Sequence, residues 1–183
     1  MGILDPLKKT GDSVGSRTKN IPDGVWAPIM GGLLILAVGI LGLIAGQPWL
    51  FPSLGPTAYL QVETPGLKSA HFYNTIVGHY IGIIAGLVGI AIFSLWNTPS
   101  VLISHHLTPE WVGAAAIAIF LTIIINMLLR ASHPPAAATA LLVSLGAFTT
   151  PTQILTLIIG VLIIAILGDA LRRIRISGNN KAS

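Results

Sequence analysis

The sequence predicts an all-α polytopic membrane protein made of two repeats. Each repeat is a long transmembrane helix, a half-helix opened by proline and a second long helix. Three observations predict it. Charged residues are only 9% of the chain, hydrophobic residues are 53%, and mean hydropathy is +0.82, whereas a soluble domain carries about 25% charged residues. Four runs come close to the ~20 apolar residues that a spanning helix needs: Val25–Gly46, Ile76–Trp96 (extending back to Phe72), Trp111–Leu129 and Ile154–Leu167. An ungapped shift of 82 residues lays Pro52 on Pro134, Thr57 on Thr139, Ala58 on Ala140, Leu60 on Leu142, Gly78 on Gly160 and Gly86 on Gly168. The divisions expected are a cytoplasmic tail over 1–24, a first repeat over 25–97, a second over 98–174 and a cytoplasmic tail over 175–183.

The first run follows a polar stretch carrying Lys8, Lys9, Arg17 and Lys19. It lies too far into the chain for a cleaved signal peptide and is expected to remain. The next segment, Pro48–Val62, reaches roughly 30 Å if about five residues are extended and ten are helical. The second run carries Gly78, Gly82 and Gly86, with Gly89 nearby. Four-residue spacing puts the first three on one face, where small residues let membrane helices approach closely. Gly42 and Gly46 repeat the pattern, and such faces also suit a homo-oligomer. The loop Asn97–Glu110 has no Lys or Arg. After the third run and Arg130 comes Ser132–Leu142, where Pro134 and Pro135 favour helix after them and forbid it before. Free N–H groups are expected at Ala136–Ala138, and a helix N-terminus is a natural anion site. Trp26, Trp49, Trp96 and Trp111 sit at run ends, as an aromatic belt does.

Basic residues flank both ends of the membrane region, so both termini are expected in the cytoplasm and the number of crossings is even. Two arrangements fit. If the short segments cross, each repeat crosses three times, the repeats are inverted, and Lys68 and Arg130 join the other basic residues inside. If they dip in and return, there are four crossings and parallel repeats. The charge count favours inversion.

The chain has no cysteine, which excludes disulfides and thiolate metal sites. The basic residues sit at lipid-flanking positions, so the pI of 9.8 is not a nucleic-acid signal. Carboxylate pairs, a nucleophile beside a base and a Gly-rich phosphate loop are all absent, so no enzyme is read here, and no metal or cofactor is expected. His105-His106 reads as a solvated turn. Ionisable groups inside a span cost ~2.5–3.5 kcal/mol, so His79, Arg130 and His133 invite explanation. Asn74 and Asn126 are their neutral partners, and Asn126 and Arg130 stand four apart on one helix face. Glu63 and Glu110 fall in loops, and Asp169 sits beside Arg172 and Arg173. This inventory suits a small anion or a neutral solute. The candidate substrate residues are Ser53, Gly55 and Thr57 in the first short segment. The second contributes His133, Pro134, Pro135, Ala136, Ala137 and Thr139, and Asn74, His79, Asn126 and Arg130 complete the set. The structural alternatives are that Thr57 and Thr139 bond their own helices, His79 packs, His133 caps, and Arg130 snorkels to the interface.

His133-Pro134-Pro135 with Ala136–Leu142 resembles the signature of the HPP family of integral membrane proteins, named for that tripeptide. Pro52-Ser53-Leu54-Gly55-Pro56-Thr57-Ala58 is similar to the family's first short motif. Asn74 followed by Gly78-His79 is similar to its Asn-x-x-Gly-Gly-His motif. The resemblance spans most of residues 25–170. The chain departs from it at Ala136-Ala137, where the family often has Gly-Gly, and at Phe72-Tyr73, where it often has Pro-Arg. Cyanobacterial and chloroplast members are associated with nitrite transport, so the resemblance implies a nitrite transporter of a bacterial inner membrane, a cyanobacterial one included. The competing readings are a channel for a small neutral solute and a membrane scaffold without transport.

Overall fold

With no water in a bilayer to meet backbone polar groups, an apolar chain satisfies them within helices. The computed structural model describes residues 21–176, and the described residues contain no strand. Among the described residues there are seven α-helices: α1 (Asp23–Ala45), α2 (Leu54–Glu63), α3 (Phe72–Ile92), α4 (Val101–Ser104), α5 (Pro109–Leu128), α6 (Pro135–Ser144) and α7 (Pro151–Ile176). Helices α1, α3, α5 and α7 are long and apolar enough to cross a membrane. Local chemistry sets the boundaries. Helices α5, α6 and α7 each begin at a proline, which lacks the N–H that a first turn leaves unused. Helix α1 stops at Gly46, whose φ of 63° is the left-handed cap that glycine adopts without strain.

The helix bounds follow the offset seen in the sequence. A shift of 82 residues carries α1 onto 105–127, α2 onto 136–145 and α3 onto 154–174, where α5, α6 and α7 stand. Contacts follow it too. Helix α3 packs against α5 and α6, α7 packs against α1 and α2, and α3 meets α7. A methyl on Gly78 would lie 2.7 Å from His133 Cβ. At the shifted positions Gly160 faces Phe51 in the same way. Gly86 is pressed against Val143, and its counterpart Gly168 against Gln61, again one shift apart. The Gly78–Gly82–Gly86 face is therefore consumed inside the chain, which corrects its reading as an oligomer surface.

The helix ends gather at two poles. At one, Arg175 pairs with Asp23 and donates to the Ile21 carbonyl at 3.0 Å. Arg172 reaches the Pro65 carbonyl at 3.4 Å, and Tyr73 the Leu129 carbonyl at 3.2 Å. At the other, Thr156 donates to Gln47 at 3.3 Å, and Ser100 to the Leu145 carbonyl at 3.0 Å. Helices α1, α3 and α6 thus run from the first pole to the second, and α2, α5 and α7 run back. Leu43, Ile44, Phe120 and Leu128 are each more than 60% exposed, an apolar exterior that lipid accommodates and water does not.

Several expectations are corrected. Trp26 and Trp111 are buried in the packing, so the aromatic belt reading fails for both. Arg175 stacks over the Trp26 ring, 5.1 Å from its centroid. The last helix runs through Ile176, two residues into the stretch expected as the second tail. The loop Asn97–Glu110 holds α4 and the first turn of α5. Lys8, Lys9, Arg17, Lys19 and Lys181 lie outside the described residues, as do most of both tails.

Candidate substrate site

The N-terminal halves of α2 and α6 converge on one side chain of α3. His79 is fully buried, and each of its ring nitrogens faces a threonine of a different short helix. Its Nδ1 is 2.7 Å from Thr139 Oγ1 of α6, and its Nε2 is 2.9 Å from Thr57 Oγ1 of α2. These are the two threonines that the 82-residue shift superposes. His133 completes the cluster. Its Nε2 lies 3.2 Å from His79 Nε2 and 3.4 Å from Thr57 Oγ1, with the ring centroids 4.8 Å apart. Glycine at position 78 makes room for it, because any side chain there would strike His133.

The proton positions follow by elimination. His133 Nδ1 is 2.7 Å from the Ser69 carbonyl, which can only accept, so that nitrogen carries hydrogen. In a neutral ring His133 Nε2 is then an acceptor, so His79 Nε2 carries the hydrogen and shares it between Thr57 Oγ1 at 2.9 Å and His133 Nε2 at 3.2 Å. His79 Nδ1 is left to accept from the Thr139 hydroxyl. Thr57 gives its own proton to the Ser53 carbonyl at 3.0 Å. The result is one directed chain, Thr139 to His79 to His133 to Ser69. Of the two back-bonding threonines expected, Thr57 behaves so and Thr139 does not.

Five buried polar atoms have no partner among the described residues: Trp26 Nε1, Trp49 Nε1, Ser53 Oγ, Gln61 Oε1 and Asn126 Oδ1, of which Ser53 and Gln61 stand one turn either side of Thr57. An unmet buried acceptor or donor costs about 1–3 kcal/mol, so each is a place where a ligand or water gains. Ser53 is the N-cap residue of α2, so its free hydroxyl stands where the helix dipole is positive. Gln61 donates weakly to Thr75 at 3.5 Å. Sequence reasoning passed over Gln61, Thr75 and Ser69. Gln61 carried a usable signal, a lone amide in the apolar run Ala58–Val62 whose shifted counterpart is Val143.

The remaining candidates separate. Asn74 donates to the Ser132 carbonyl at 3.1 Å and the Arg130 carbonyl at 3.4 Å, pinning the segment that leads into α6. Arg130 itself is exposed and its backbone is left-handed, with φ of 52°. It lies past the end of α5, so it does not share a helix face with Asn126 as expected. Gly55 and Pro134 are exposed, while Pro135 and Ala136 are buried. The Ala136 and Ala137 N–H groups, expected to be free, donate to the His133 and Pro134 carbonyls at 2.9 and 3.1 Å. A tightened first turn meets them, and the His133 side chain makes no cap.

An open groove of about 910 Å³ lies between α1 and α2, lined by Gly31, Ala58 and Tyr59 with Asp23 and Glu63 at its rim. His71, at the foot of α3 and outside the span, is pushed below the ordinary imidazole value by partial burial and by nearby Arg172. The imidazole pair contacts no carboxylate among the described residues, and the Thr57 and Thr139 hydroxyls beside it can re-orient.

No match was found among curated proteins or among solved structures. A family model described as HPP, transmembrane region, matches residues 16–179. The chain belongs to the HPP family of integral membrane proteins.

Proposed function

We propose that the protein carries a small inorganic anion, nitrite foremost, across a bacterial inner membrane through the cluster of His79, His133, Thr57 and Thr139. One observation carries the reading. Two threonines one 82-residue shift apart, from the N-terminal halves of two short helices, converge on a single buried imidazole, beside an unpaired Ser53 hydroxyl at the α2 N-cap. Family membership supports a membrane protein of transporter-like kind. A scaffold without transport has no need for a buried polar cluster, which apolar packing would replace at no loss of stability.

The run of helix directions supports inverted repeats, since α1 and α5, α2 and α6, and α3 and α7 each point opposite ways between the poles. Short helices broken near mid-depth and matched between two halves are where secondary transporters hold substrate. Opening to alternate sides then follows from rocking one half against the other, with the cluster at the seam. Uptake of nitrite by purified protein in liposomes, compared with nitrate, formate and chloride, tests it. Saturable nitrite uptake above empty vesicles is expected. No anion flux above that background refutes the reading, and non-saturating flux of neutral solutes would favour a channel instead.

A further inference from the structure

We propose that the His79–His133 pair takes up one proton with each anion, so that transport is an electroneutral proton–anion symport. The proposal rests on the anion reading above and adds the coupling ion. The cluster is enclosed by protein: His79 is 0% and His133 2% exposed, and the four imidazole nitrogens all have protein partners. A bare anion entering it would be a buried charge without a counter-ion, which is strongly unfavourable. An extra proton on the imidazoles alone is unfavourable for the same reason. The two together form a neutral unit, so each favours the other, and reciprocal coupling of this kind is what drives one solute with another.

The geometry shows where the proton goes. His79 Nδ1 accepts from the Thr139 hydroxyl at 2.7 Å, and its lone pair is freed for a proton when that hydroxyl turns away. A proton taken from water binds there, the Thr139 oxygen becomes the acceptor, and its O–H turns outward. Thr139 then presents a donor to the anion at the moment the site becomes cationic. Departure of the anion returns the proton to water on the opposite side. The chain ends at the carbonyl of Ser69, a half-buried residue in the turn before α3, so the buried pair is linked to a segment near water.

Among the described residues no other ionisable group contacts the pair. On α3 itself Tyr73, Tyr80 and His71 make no bond to the pair. On α2, Tyr59 and Glu63 are exposed; on α5, so is Glu110, and Arg130 beyond its end is exposed too, as is Lys68 in the turn before α3. Helix α6 has no ionisable side chain. On α7, Asp169 is taken by Arg172 and Arg173, and Arg175 by Asp23.

The test uses the intact protein in weakly buffered liposomes loaded with a fluorescent pH indicator. Nitrite entry and lumenal acidification are recorded together, with empty vesicles subtracted for leak of the free acid. The expected result is about one proton per nitrite, uptake unaffected by a potassium-diffusion potential, and about tenfold accumulation for one unit of inward pH gradient. Nitrite uptake without acidification overturns the coupling and leaves the anion reading standing. Absence of nitrite uptake overturns both. The wild-type stoichiometry decides the matter, so no variant that risks misfolding is required.

Discussion

Replacing Gly82 with alanine tests whether the α3–α6 seam holds the site together. In an isolated helix the change is favourable by about 1 kcal/mol, because glycine is the poorer helix former. Here the new methyl would sit 2.6 Å from the Ala136 carbonyl oxygen and 3.3 Å from the Ala140 nitrogen. Both are backbone atoms of α6 and cannot swing aside. Restoring ordinary contact at 3.4 Å requires the helices to part by about 0.8 Å. Overpacking of this kind costs about 1–3 kcal/mol, so sterics outweigh propensity. Parting the helices also stretches the 2.7 Å bond from His79 to Thr139 towards the limit of a hydrogen bond. Gly32 is the control, since nothing lies within 4 Å of a methyl there. Thermal unfolding of Gly82→Ala and Gly32→Ala in one detergent checks the difference. The first should melt below wild type and the second at or above it. Equal midpoints for the two variants would refute the reasoning.

Thr139→Val keeps the shape but leaves His79 Nδ1 unpartnered in a buried site, and should lower stability by about 1–3 kcal/mol and abolish anion uptake. Thr139→Ser should restore both, which denaturant titration and liposome uptake can follow. Arg175→Met removes the pair that ties the start of α1 to the end of α7. It should speed proteolytic cleavage ahead of α1 while leaving cleavage within Asn97–Glu110 unchanged, as mass spectrometry of the fragments would show. The cysteine-free chain allows single cysteines at Gly66, where a side chain meets nothing, and at exposed Ser104. In intact cells an impermeant thiol reagent should label position 104 and spare 66; the reverse pattern would sink the inverted arrangement.

The sequence makes helix number and position legible because burial in lipid forces a pattern that survives without any partner. Each apolar run became a helix displaced by a few residues, and Pro135 opens α6 as its fixed φ requires. The 82-residue offset that the helix bounds also follow was legible through Pro, Gly and Thr at matched positions. Side-chain direction was not. Arg130 read as a helical neighbour of Asn126, yet the left-handed turn at Arg130 itself breaks the periodicity on which that reading depended. Trp26 and Trp111 read as interfacial because sequence position does not report which way a ring faces. The free N–H groups of α6 were expected from α-helical geometry, and a tighter turn met two of them from within.

The chemistry of the site is less symmetric than its scaffold. The 82-residue shift carries Thr57 onto Thr139, but it carries His79 onto Val161, and His133 lands back on Phe51. The glycines that accommodate His133 and Phe51 are themselves equivalent, so the two halves build the same recess and fill one with an imidazole and the other with a benzene ring. Val161 is fully buried, and Phe51 stacks edge-on with Phe148 at 5.6 Å. One recess is therefore polar and linked to the turn before α3, while its twin is dry and apolar. A repeat search finds the threonines and the packing glycines because both halves need them. It cannot find the histidines, because what sets them apart is that the other half lacks them.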